Sequence, residues 1–241
     1  MGDLDGQTAF VSGASRGIGR AIATAYAADG AHVIAAARNE QLLRDVVASI
    51  KSAGGSAEAL VMDVADHTSV RSGFDHIARS RLDIAVLNAG VFVEPRSVAT
   101  SDLDDWRHCL NVNLLGVVDC ARSAIPLLIE RGGKIIAIGS GTGYQAHPGL
   151  GPYAAAKAAL ASLIRTLAVE LRSSNIAVNE LIPGPVDTSD SGNDTDTTAL
   201  ADAESDWFKR PDDVTDLALL LARFPNNGPS GQTFSLMGRT L

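Results

Sequence analysis

Apolar runs of strand length alternate with stretches of helical spacing along almost the whole chain. The run at 8–12, TAFVS, is short and apolar through its middle, as a strand covered on both faces requires. Helical spacing follows from Gly17 to about Ala28. The same alternation predicts strands at 32–36, 59–62, 83–87, 134–138 and 177–182, with a weaker one at 233–236. Helices are predicted at about 40–52, 69–79, 104–129 and 152–172. Strict alternation of strand and helix implies right-handed crossovers. The expected fold is therefore α/β and doubly wound, a Rossmann fold with a mostly parallel seven-stranded sheet and helices on both faces.

No repeat of solenoid period and no low-complexity linker divides the chain, so residues 1–241 are read as one domain. One segment stands apart. Between Asp187 and Asp206 the sequence carries seven carboxylates and no Lys or Arg, and it leaves the carboxyl end of a predicted strand, where open parallel sheets bind ligands. The stretch at about 187–208 is expected to be a mobile substrate loop that folds over the site and disfavours strongly anionic substrates. It accounts for most of the formal charge of -8, because the remainder balances 20 basic against 21 acidic residues. With 46% hydrophobic residues the chain is too apolar to be disordered, and it has no basic excess for nucleic acid or an anionic membrane. No window looks apolar enough for a membrane span, and no basic-then-apolar leader opens the chain. Gly6 stands where a myristoylation signal would have Ser or Thr. Cys109 and Cys120, read on one helix about 16 Å apart, are beyond disulfide reach. Free thiols suit the cytoplasm. No metal-ligand set is expected.

The first strand runs into SGASRGIG, and its glycines allow a pyrophosphate to approach the backbone at a helix amino terminus. Gly13, Ser15, Arg16, Gly17, Ile18 and Gly19 are the candidate contacts. At the end of the second strand, where a dinucleotide's adenosine ribose would arrive, a carboxylate would favour a free 2′-hydroxyl and cations a 2′-phosphate. The sequence gives Ala37 and then Arg38, which with Arg16 could clamp a phosphate. NADP(H) is therefore expected over NAD(H).

Ser140 follows an apolar strand, and Tyr153 and Lys157 are spaced to share one helix face. Carbonyl reduction needs a proton donor beside the oxygen that gains charge, and a Tyr hydroxyl can serve if its pKa falls from about 10. Three units cost about 4 kcal/mol. An ammonium at about 4 Å in an effective dielectric of about 20 supplies a similar amount. The Ser hydroxyl could then bond the same oxygen.

Taken together, these motifs closely resemble the short-chain dehydrogenase/reductase family in its single-domain form, over nearly the whole chain. SGASRGIG resembles the glycine motif, with Ser12 for the usual Thr. Asp63 and Val64 resemble the pair that meets the adenine, and Asn88, Ala89 and Gly90 the NAG element, with Leu87 where another Asn is frequent. Pro183, Gly184, Val186 and Thr188 match the segment that contacts the nicotinamide carboxamide. The resemblance implies Tyr153 as general acid and base, Lys157 binding the nicotinamide ribose and lowering the Tyr pKa, Ser140 orienting the substrate oxygen, and Asn113 holding a water in a proton relay. It also implies a homo-oligomer, dimer or tetramer, packed through the helices of Asn113 and Tyr153.

The expected function is reduction of a small ketone or aldehyde, or oxidation of its alcohol. Gly141, Thr142, Gln145, His147 and Leu150, with Trp207 and Phe208, are candidate substrate contacts. A 3-oxoacyl carrier-protein reductase is the alternative, for which Arg131 and Arg172 could contribute a docking patch. A non-catalytic NADP sensor would not need the Ser, Tyr and Lys. Two features depart from the family pattern: Glu180 inside an apolar strand with no partner evident, and the ending FSLMGRTL.

Overall fold

The computed structural model describes residues 2–188 and 207–238. Seven strands, all parallel, pair in the order β3-β2-β1-β4-β5-β6-β7. They are β1 (Thr8–Ser12), β2 (His32–Ala37), β3 (Ser56–Val61), β4 (Ile84–Leu87), β5 (Gly133–Ile138), β6 (Ile176–Ile182) and β7 (Thr233–Ser235). The helices are α1 (Gly17–Ala28), α2 (Glu40–Ser52), α3 (His67–Ile77), α4 (Leu103–Leu110), α5 (Gly116–Ile129), α6 (Gly151–Glu170) and α7 (Thr215–Arg223). Strand order reverses between β1 and β4, which opens a crevice beyond their carboxyl ends.

The two faces of the sheet bury separate cores. Val11, Val33 and Ala35 point to one side, with Ile22 and Tyr26 of α1, Leu43 and Ile50 of α2, and Leu221 of α7. Their strand neighbours Phe10, Ile34 and Ala36 point to the other, against Phe74 of α3, Ala124 and Leu128 of α5, and Leu160 and Ile164 of α6. Both sets are apolar, so β1 and β2 read as unbroken hydrophobic runs rather than alternating ones.

Several elements differ from the sequence reading. The strand expected at 59–62 begins earlier, at Ser56, where an alternating buried and exposed pattern marks an edge strand. Helix α7 falls in a stretch for which no element was expected. Pro211 opens the turn before it, and Asp213 accepts from the Arg210 amide at 2.7 Å. The expected long helix is interrupted by one π turn at Asn111–Leu115. By length and hydropathy (mean 1.6), Leu103–Ile129 would suffice to cross a membrane, so the expectation that no window is that apolar does not hold. Here that helix supplies Val117, Cys120, Ala121, Ala124 and Leu128 to the core. Most of the expected acidic loop, residues 189–206, lies outside the described residues; its flanks pair with each other, Val186 with Lys209.

Candidate active site

Ser12 fastens the first site loop to the fourth strand. Its Oγ accepts from the backbone N–H of Asn88 (2.9 Å) and of Ala89 (3.0 Å), while Asn88 Nδ2 donates to the Ser12 carbonyl at 2.9 Å. The turns after β1 and β4 therefore touch. Gly13 has φ +66°, and a Cβ there would stand 2.8 Å from Asn88 Nδ2 and 2.9 Å from the Ala89 Cα. A Cβ on Gly19 would overlap the Gly13 carbonyl. Only glycines permit this closeness. Helix α1 then begins with no side-chain cap and no acidic residue in its first turn, so its N–H groups and dipole remain available to an anion.

At the end of β2, Asn39 is committed to capping α2 by accepting from the Leu42 N–H at 3.0 Å. Arg38 and Arg16 are exposed at the rim, and among the described residues neither guanidinium is paired with a carboxylate. These cradle features fit a dinucleotide.

Asn113 sits in the π turn and is fully engaged. Its Oδ1 accepts from the Val91 N–H (3.1 Å), and its Nδ2 donates to the Val91 carbonyl (2.8 Å) and the Cys109 carbonyl (3.0 Å). A Cβ on Gly90 would come within 2.8 Å of Asn113 Oδ1, so the NAG glycine and this asparagine are fitted to each other. The carboxamide side chain thus locks the β4 loop to the helix.

Ser140, Tyr153 and Lys157 converge as the spacing predicts. Ser140 follows β5, its hydroxyl on the side of Tyr153, and it hydrogen-bonds Thr142 Oγ1 at 2.9 Å. Lys157 Nζ is buried, 5.6 Å from the Tyr153 ring centroid, and donates to the Ile138 carbonyl at 2.8 Å. Burial pushes the Tyr153 hydroxyl well above its ordinary pKa, and the Ser140 hydroxyl only partly offsets it. In the protein alone desolvation dominates the Tyr153 hydroxyl, and Lys157 is not among the groups that shift it. Burial also lowers Lys157, to about 8, against the opposing charges of Glu180 and Cys109.

One cavity of about 820 Å³ joins these parts. Every residue named from the sequence as a dinucleotide contact lines it, from Gly13 to Thr188, together with Ser140; Asn113 lies behind the wall. Gly141, Thr142, His147 and Leu150 also line it, whereas Gln145, Trp207 and Phe208 are not among its walls. Sequence reasoning missed Phe92 and Met237. Phe92 stacks on Tyr153 with ring centroids 3.9 Å apart, and Met237 Sδ lies against Gly141. Phe92 follows NAG by two residues, a usable signal; Met237 arrives from the divergent ending, which carried none.

A parallel doubly wound sheet with a glycine cradle at its switch point and a Ser, Tyr and Lys beside it defines a nucleotide-dependent oxidoreductase. The family model for short chain dehydrogenase matches residues 7–199. The 3-oxoacyl-[acyl-carrier-protein] reductase of Thermotoga maritima is 30% identical over 241 residues, 98% of this chain and 98% of that protein. A protein of Beutenbergia cavernae described as an NAD(P)-dependent gluconate 5-dehydrogenase, solved with NADP at low occupancy, superposes with a TM-score of 0.86 at 34% identity, over 98% of this chain and 96% of that one. Carveol dehydrogenase of Mycobacterium avium, solved with NAD, gives a TM-score of 0.89 at 28% identity, over 98% of both chains. The chain belongs to the short-chain dehydrogenase/reductase family, acting between CH–OH and C=O with NAD(P).

Proposed function

We propose that the protein is an NADP(H)-dependent reductase of a small ketone or aldehyde, working reversibly on the corresponding alcohol, with Tyr153 as general acid and base. The observation that carries this reading is the joining of Ser140, Tyr153 and Lys157 by one cavity to Arg16 and Arg38, which have no carboxylate partner among the described residues. The bound nicotinamide would supply or accept the hydride. Gly13 to Gly19 would hold its pyrophosphate, Arg16 and Arg38 its 2′-phosphate, Asp63 and Val64 its adenine, and Pro183, Gly184, Val186 and Thr188 its carboxamide. Ser140 positions the substrate oxygen against the Tyr153 hydroxyl. The burial that raises the Tyr153 pKa keeps the phenol protonated at neutral pH, the form that donates to an oxygen gaining negative charge. Phe92, Leu150 and Met237 make the substrate end largely apolar, which suits a small uncharged compound.

A 3-oxoacyl thioester on a carrier protein is the second reading, favoured by the full-length similarity to the Thermotoga reductase. We further propose a homo-oligomer, dimer or tetramer, acting in the cytoplasm. A panel of carbonyl and alcohol compounds with NADPH and NADH tests the function. Wild type turns over at least one pair, and Tyr153→Phe loses that activity by at least about a hundredfold. Unchanged turnover in Tyr153→Phe would refute the mechanism.

A further inference from the structure

Glu180 takes no part in that mechanism, yet it is a carboxylate in the middle of β6 with 1% of its surface exposed. Such a group is costly to bury unless it is hydrogen-bonded and faces an opposite charge. One half of the requirement is met by hydroxyls. Glu180 Oε2 accepts from the Tyr144 hydroxyl at 2.6 Å and from Thr233 Oγ1 at 2.8 Å. The other oxygen, Oε1, is sealed from solvent with no hydrogen-bond donor among the described residues. It occupies the space that a Cβ on residue 139 would take, so it lies against the backbone at Gly139. Lys157 reaches the same backbone from α6, with Nζ on the Ile138 carbonyl. Two buried side chains of opposite charge thus approach one stretch of backbone, residues 138 and 139, from α6 and β6, without a direct ion pair between them.

We propose that Glu180 is a positioning residue that acts through Lys157: its carboxylate holds Lys157 as an ammonium beside the Tyr153 ring, while Tyr144 and Thr233 fix the carboxylate in place. The orphaned Oε1 is then balanced by the field of the ammonium rather than by a donor. Tyr153 on the same helix as Lys157, Cys109 from α4 and Tyr144 from the loop after β5 are the titratable groups around this pair, and Arg165 of α6 acts on Tyr144. Burial lowers Lys157 to about 8, close to neutral pH, and Glu180 is the largest influence that opposes it. Without that carboxylate, a substantial part of the molecules would carry a neutral amine at the site. The inference concerns the charge on Lys157 and stands whichever cofactor or substrate the enzyme prefers.

The test uses the whole protein with ¹³Cε-labelled lysine, without cofactor, so that its failure is separate from any failure of the proposed activity. The sequence has four lysines, Lys51, Lys134, Lys157 and Lys209, and Lys157→Arg assigns the relevant signal. In Glu180→Gln the Lys157 titration midpoint falls by about one pH unit, the size expected from losing one neighbouring charge. Glu180→Asp, which keeps the charge on a shorter arm, recovers part of the shift. A midpoint within about 0.2 unit of wild type in a folded Glu180→Gln protein overturns the proposal. Should Glu180→Gln not fold, Tyr144→Phe decides: it keeps the carboxylate and removes one of its donors, so the Lys157 midpoint stays level or rises, and a fall overturns the proposal.

Discussion

Replacing Ser12 by alanine removes the side-chain oxygen that ties the two halves of the cofactor crevice together, while the bond from Asn88 Nδ2 to the Ser12 carbonyl remains. Ser12 is 2% exposed, and its Oγ is the acceptor for two backbone N–H groups, those of Asn88 and Ala89. An amide deprived of its acceptor costs about 1–3 kcal/mol when water cannot reach it. Asn88 and Ala89 are only partly buried, so the lower figure applies to each, and the loss totals about 2 kcal/mol. For a domain of this length each kcal/mol moves Tm by about 2–4 °C, so Ser12→Ala melts about 4–8 °C below wild type. Calorimetry without cofactor reads this directly. Both amides belong to residues that line the cavity, so NADPH binding, followed by fluorescence titration, weakens in parallel. Ser12→Thr keeps the oxygen and melts within about 2 °C of wild type. If Ser12→Ala melts within about 1 °C of wild type, or Ser12→Thr falls as far as the alanine variant, the bridging argument is wrong.

Arg38→Ala removes a charge-assisted contact worth about 1.5–3 kcal/mol, so NADPH binds about tenfold to a hundredfold more weakly while NADH is unaffected. Equal affinities of wild type for the two would defeat the phosphate-clamp reading. Lys157 has its pKa lowered to about 8, so it is cationic below that pH and neutral above it. The kcat/KM for reduction accordingly declines as pH rises through that region, and a profile flat across it would contradict the assignment. Gly139→Ala forces a methyl group onto the Glu180 carboxylate and costs about 1–3 kcal/mol in urea unfolding. Adding Glu180→Ala recovers stability, whereas simple additivity of the two changes would show that they do not meet.

Where a segment's identity depends on its own apolar pattern, the sequence was sufficient. Strand β1 and helix α1 were read at their observed bounds, and the Ser140, Tyr153 and Lys157 spacing placed all three on one cavity. Legibility failed where distant contacts decide. The π turn at Asn111–Leu115 interrupts a helix whose apolar spacing runs smoothly through it, and it coincides with the hydrogen bonds of Asn113 to Val91 in another loop. Glu180 has no partner evident in the sequence because Tyr144 and Thr233 lie 36 and 53 positions from it along the chain, and only the fold brings them together. Helix α7 is different: Pro211, two aspartates in the first turn and the run from Leu217 to Leu221 were all present as signals.

The bridge between Val186 and Lys209 has a practical consequence for redesign. Lys209 N–H donates to the Pro185 carbonyl at 3.0 Å and its carbonyl accepts from Asp187 N–H at 2.9 Å, so the chain leaves and re-enters the sheet edge at one clamped point. Doubling the length of an insert adds only about 0.6 kcal/mol of closure entropy. An exchange confined to residues 189–206 therefore keeps both residues of the clamp in the chain, and the Val186–Lys209 bridge is the point at which such a redesign is anchored.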